Sequence, residues 1–159
     1  MKKLLSVLLV AFFVSSGIAY AQGFTLQSCK GKWGVNGIYG DNEGALVAVM
    51  TADVIGGEGI ITEAKGTINL PGLLAGRNIM EATFTGDYAV NPDGTCSATF
   101  VAEYTNGMVL ELSSDCVIMQ ADESKLATEI FCMRKEPLNI TRGIKRGGIL
   151  IMTLKRLPE

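Results

Sequence analysis

The chain has 159 residues, 14 Lys+Arg against 16 Asp+Glu, and a formal net charge of −2. That weakly acidic balance argues against nucleic acid or an anionic membrane as the main partner. It contains no histidine, which removes Ser-His-Asp and Cys-His nucleophile arrangements and most zinc sites.

The first segment reads as an export signal. Met1-Lys2-Lys3 is a basic start, Leu4 to Val14 is apolar except for Ser6, and Ala19-Tyr20-Ala21 supplies small residues before a cut at Gln22. The apolar run is about 11 residues long, where roughly 20 are needed to span a bilayer. A lipoprotein reading would acylate Cys29, and Gln27 fits that badly. Residues 1–21 are therefore expected to be a cleaved signal peptide, and residues 22–159 a single domain. Losing Lys2 and Lys3 leaves 12 Lys+Arg against 16 Asp+Glu, so the mature chain carries about −4.

Eight short strands follow. The first runs from Cys29 to Tyr39, with Cys29, Gly31, Trp33 and Val35 on one face. Ala45 to Val54 is the second. Gly56-Gly57-Glu58-Gly59 supplies the positive-φ positions of a tight hairpin. In the third, Ile60 to Asn69, Ala64, Gly66 and Ile68 alternate with Glu63, Lys65 and Thr67. Pro71 to Gly76 is a leucine-bearing loop and a candidate lid.

Asn78 to Val90 is the fourth strand, with Met80, Ala82, Phe84, Tyr88 and Val90 facing inward. Asn91-Pro92-Asp93-Gly94 has type I turn chemistry. The fifth strand then places Cys96, Ala98, Phe100, Ala102 and Tyr104 inward, and Asn106-Gly107 turns the chain again. Met108, Leu110, Leu112, Cys116 and Ile118 face inward on the sixth, Met108 to Gln120. Leu126 to Arg134 is the seventh and Gly148 to Leu157 the eighth, joined by a basic, glycine-containing connection. No mature segment shows helical periodicity. The fold expected is all-β: a single eight-stranded antiparallel up-and-down barrel.

Four cysteines in an exported chain read as two disulfides. Cys116 and Cys132 are symmetric about Ser124 in the polar turn Ala121 to Lys125, so a hairpin there sets them opposite each other. Cys29 with Cys96 follows by elimination. No Cys-x-x-Cys spacing points to a metal, and no cofactor is implied.

Glycines and alanines fill many inward positions, among them Gly37, Ala48, Ala64, Gly66, Ala82, Gly86 and Ala102. Such residues either leave a cavity or let the barrel close tightly. A cavity would be lined by Met50, Met80, Phe84, Phe100, Tyr104, Met108, Leu110, Leu112 and Met152, a soft apolar surface suited to a small hydrophobic or amphipathic ligand. Arg142, Lys145 and Arg146 in the last connection are candidate anchors for a ligand anion at the mouth. The alternative is a filled, non-enzymatic barrel for structural or protein-interaction use, with Val47, Val49, Ile61, Val101, Val117, Ile149 and Ile151 outward. A shape-driven isomerase or cyclase is the third reading, though no carboxylate pair or other catalytic set stands out. An outer-membrane barrel would set Glu63, Lys65, Glu81, Asp87, Glu111 and Asp115 against lipid.

Gly31-Lys32-Trp33 on the first strand resembles the Gly-x-Trp signature of lipocalins and related calycins. The resemblance implies that Trp33 closes one end of the barrel and that a basic residue of the last strand, Arg156 or Lys155, lies across its indole. Asp53 to Gly59 and Thr85 to Cys96 are similar to small secreted bacterial proteins grouped with the allene-oxide-cyclase-like barrels. That likeness implies a fold and no reaction.

Overall fold

A computed structural model describes residues 23–39, 44–71, 76–135 and 149–158. The proposed signal peptide, the centre of the candidate lid, and Arg142, Lys145 and Arg146 lie outside these residues.

One helical turn, α1 (Leu26–Cys29), precedes eight strands: β1 (Gly31–Tyr39), β2 (Gly44–Ile55), β3 (Glu58–Pro71), β4 (Arg77–Val90), β5 (Thr95–Tyr104), β6 (Val109–Ala121), β7 (Ala127–Arg134) and β8 (Leu150–Arg156). Each strand pairs antiparallel with the next, and β8 returns to β1 to close the barrel. Closure removes every sheet edge, so all eight strands are paired on both sides. Cys29 belongs to the helical turn rather than to the first strand. The Ser28 hydroxyl, accepting from the Thr25 backbone N–H at 3.1 Å, pins that turn before extended backbone resumes.

The hairpins follow from their residues. Gly56 and Gly57 take φ of +63° and +89°, the two positive values a two-residue turn between paired Ile55 and Glu58 requires. In the Asn91 turn, the Asp93 carboxylate accepts from the Thr95 N–H at 2.9 Å and hydroxyl at 2.7 Å. Asp122 does the same for Ser124 and also accepts from the Leu126 N–H at 2.9 Å. That second Asp-closed turn centres the β6–β7 hairpin where symmetry about Ser124 places it.

The inward alternation breaks at the start of β7, where Ala127 and Ile130 are both buried across an irregular β6–β7 register, and most sharply in β3. There the β3–β4 register slips between Ile61 and Ala64, and Met50 of β2 faces two β3 residues instead of one. Glu63 adopts φ +49° at this bulge. The extra residue swings Ile61 inward, where it is 2% exposed, correcting the expectation that it faces out.

Small residues tighten the barrel instead of hollowing it. A Cβ on Gly86 would overlap the Thr99 carbonyl oxygen of the neighbouring strand. The core around Trp33, Ile61 and Ile68 is close-packed. Removing these side chains from water is the main stabilising term of the fold.

Candidate functional site

The two ends of the barrel are built differently. At the base, Trp33 is fully buried and its indole N–H donates to the Cys29 carbonyl at 2.9 Å. Arg156 pairs directly across β1–β8 with Trp33, and its guanidinium carbon lies 4.8 Å from the ring centroid. The same guanidinium donates from Nε to Ala127 O at 2.6 Å, from Nη1 to Lys30 O at 2.5 Å and from Nη2 to Ser28 O at 3.1 Å. Gly31, at φ +139°, leaves the space that Nη1 occupies; any Cβ there would collide with it. Lys155 points elsewhere and pairs with Glu129 at 3.7 Å. Gly31, Trp33 and Arg156 thus form one unit that seals the base.

The residues around α1 strap across this seal. The Tyr88 hydroxyl reaches the Leu26 carbonyl at 3.2 Å and the Asp53 carbonyl at 3.1 Å. Burial holds its phenol above the ordinary range. Lys30 pairs with Asp53 at 2.9 Å, and Phe24 donates its N–H to Pro92 O at 3.1 Å.

All four cysteines converge on one side of the barrel. Cys96, Cys116 and Cys132 occupy one row across β5, β6 and β7. Cys116 and Cys132 form the disulfide expected from the hairpin. Cys29 and Cys96 are not bonded to each other, which corrects the pairing reached by elimination. They are nonetheless neighbours, and the Cys96 thiol donates to the Gly94 carbonyl at 3.5 Å. The neighbouring Cys96 thiol, followed by burial, raises the Cys29 thiol, and Cys29 in turn lowers Cys96.

Above the seal runs a narrow apolar shaft of about 50 Å³. Five of the residues expected to line a cavity do so: Met50, Phe84, Phe100, Leu112 and Met152. Met80 and Tyr104 are buried and Leu110 half-buried, but none borders the shaft. Met108 is a correction. It sits in the turn before β6, 38% exposed, with its N–H bound to the Asn106 side chain at 3.0 Å. At this volume the shaft has room for a few waters.

The far end of the shaft is polar. Arg134 closes β7 there, paired across the sheet with buried Ser114, and both border the shaft together with Tyr39. Arg134 Nε is buried with no hydrogen-bond partner, and none of the ion pairs among the described residues involves it. Tyr39 and Tyr104 are held above the ordinary phenol range chiefly by burial, with the Arg134 charge acting in the opposite direction. Sequence alternation carried the signal for both missed residues. Ser114 lies between inward Leu112 and Cys116, and Arg134 lies two residues beyond inward Cys132.

Among the described residues, no group of three or more His, Cys, Asp or Glu is placed to hold a metal ion, and no helix is long and apolar enough to cross a membrane. No protein-family model matches the chain, and a search of curated proteins finds no match.

Proposed function

We propose that the chain is an exported, calycin-like barrel that binds a small hydrophobic or amphipathic molecule along its axis. The observation that carries this reading is the shaft itself: apolar, sealed below by Trp33 and Arg156, and walled by Met50 and Met152. Gly31-Lys32-Trp33 supports the calycin likeness, because glycine, indole and arginine act there as one unit. The export reading rests on residues 1–21 and is supported by the Cys116–Cys132 disulfide, a bond that persists in oxidising compartments. Ligand pockets are usually about 300–1,000 Å³. A ligand therefore enters this shaft by displacing the flexible methionines, which adapt readily.

Native mass spectrometry of the mature chain, purified without detergent or reductant, tests this. A mass excess lost on denaturation is the expected result. A bare chain, both as purified and after incubation with alkyl alcohols and acids, sinks the reading.

The small shaft volume favours a second reading, a filled barrel that associates with a second copy of itself. Its outer face supplies the contact. Ile38, Ile151 and Met133 lie side by side across β1, β8 and β7, all substantially exposed.

A further inference from the structure

We propose that Arg134 is a carboxylate-binding site, holding the head of an amphipathic acid whose tail lies down the shaft. This rests on the reading of the barrel as a ligand binder and names the class of ligand.

The two shaft-end arginines make the argument by contrast. Arg156 uses Nε and both terminal nitrogens on three backbone carbonyls and stacks on an indole. Arg134, at the other end, buries its Nε with no acceptor. A guanidinium stays charged at any physiological pH, so it cannot relieve burial by losing a proton. Arg134 as a whole is half-buried, but its Nε is a buried donor left without an acceptor, which costs the fold the full desolvation of that group.

Among the described residues, those beside Arg134 supply no compensating anion. Its cross-strand partner is the Ser114 hydroxyl residue, and Tyr39 and Tyr104 are phenols that burial keeps protonated. The rest of the described wall is apolar, so among the described lining residues an anion meets one cation and no carboxylate. A guanidinium offers parallel N–H donors spaced for a carboxylate. Hydroxyl groups of Ser114 and Tyr39 can donate to the same oxygens. One cation beside a narrow shaft suits a monoanion with a slender tail better than a doubly charged phosphate.

The test compares octanoate with octan-1-ol, which has the same tail and a neutral head, and with acetate, which has the head alone. Each is titrated calorimetrically into the mature wild-type chain and into Arg134→Met and Arg134→Lys. Octanoate is expected to bind at least about tenfold more tightly than octanol to the wild type. Arg134→Met abolishes that preference while retaining octanol binding, and Arg134→Lys keeps part of it. Without ligand, Arg134→Met melts no lower than the wild type, because it removes a buried donor that has no acceptor; this also reports that the variant folds.

Equal affinity for octanoate and octanol overturns the assignment, as does a preference that survives Arg134→Met. Acetate binding as tightly as octanoate overturns the amphipathic tail. Octanol bound without preference leaves the ligand-binding reading standing. If neither eight-carbon compound binds, that underlying reading fails.

Discussion

Arg156 lies over the indole of Trp33 from the opposite strand, and the same guanidinium ties Ser28, Lys30 and Ala127 to the barrel base. One side chain therefore joins α1, the start of β7 and the closing β1–β8 seam. Arg156→Gln is expected to destabilise the fold by about 2–4 kcal/mol, combining a cation–π contact with several lost hydrogen bonds. Arg156→Lys recovers little, since one ammonium cannot span three carbonyls. Urea unfolding followed by Trp33 fluorescence measures both. A loss under 1 kcal/mol in the glutamine variant would show that the seal contributes little.

Cys29 and Cys96 are free, neighbouring thiols and so candidates for oxidation. Treatment with diamide removes two hydrogens from this pair, and the oxidant takes them up. The mass should fall by two hydrogens, and alkylation of the unfolded protein should drop from two adducts to none. Cys29→Ser prevents this change. The new bond ties α1 to β5 and is expected to add about 2–4 kcal/mol of stability. Peptide mapping that finds Cys96 joined to Cys116 would instead reveal exchange along the cysteine row.

The barrel was legible because most strands alternate cleanly and their turns carry strong chemistry. Asp93 and Asp122 close hairpins by the side-chain bonds their positions suggest, and Cys116 meets Cys132 as a result. The β3 bulge was not legible. Counting parity from Ala64 puts Ile61 outside, and nothing about Thr62 or Glu63 advertises an extra residue. Arg134 was legible in position, two residues beyond inward Cys132, but nothing in the sequence says that its Nε is buried without an acceptor. Composition also leaves cavity and tight closure equally open; only the backbone spacing at residues such as Gly86 decides between them.

Acid should weaken the fold through its turn aspartates. Asp93 and Asp122 both lie below their ordinary value of 3.8: Asp93 through the Thr95 N–H and hydroxyl, Asp122 through the Ser124 hydroxyl and Leu126 N–H. Asp53 is lowered by Lys30 and the Val54 N–H. Because folding depresses these values, their stabilisation is present above 3.8 and is lost as pH falls through the folded values. Melting temperatures between pH 7 and pH 2.5 should therefore drop mainly at the acid end. Asp122→Asn should flatten that drop, and an unchanged profile in the variant would exclude the turn as its source.

Glu63 holds a left-handed conformation at the bulge, at φ +49°. Such backbone costs a residue with a Cβ about 1–2 kcal/mol, partly offset by the greater chain entropy of glycine. Glu63→Gly is expected to stabilise the protein by about 0.5–1 kcal/mol, and Glu63→Val to destabilise it by more. Thermal melts of the two variants settle the sign. If valine is tolerated, the bulge has relaxed and Ile61 should become exposed, which amide and methyl NMR shifts would register.

Ile151 is central to the exposed apolar row, with Ile38 on one side and Met133 on the other at 43%, 49% and 47% exposure. A row flanked alike on both sides is suited to self-association about a two-fold axis, where the same patch serves both copies. Under the filled-barrel reading the wild type sediments as a dimer and Ile151→Lys as a monomer. The substitution faces water in the isolated chain, so unfolding of that monomer should shift by no more than about 0.5 kcal/mol. Sedimentation velocity over a range of concentrations reads the first outcome and denaturant titration the second. A wild type that is monomeric at high concentration removes the self-association reading, and the shaft becomes the remaining seat of function.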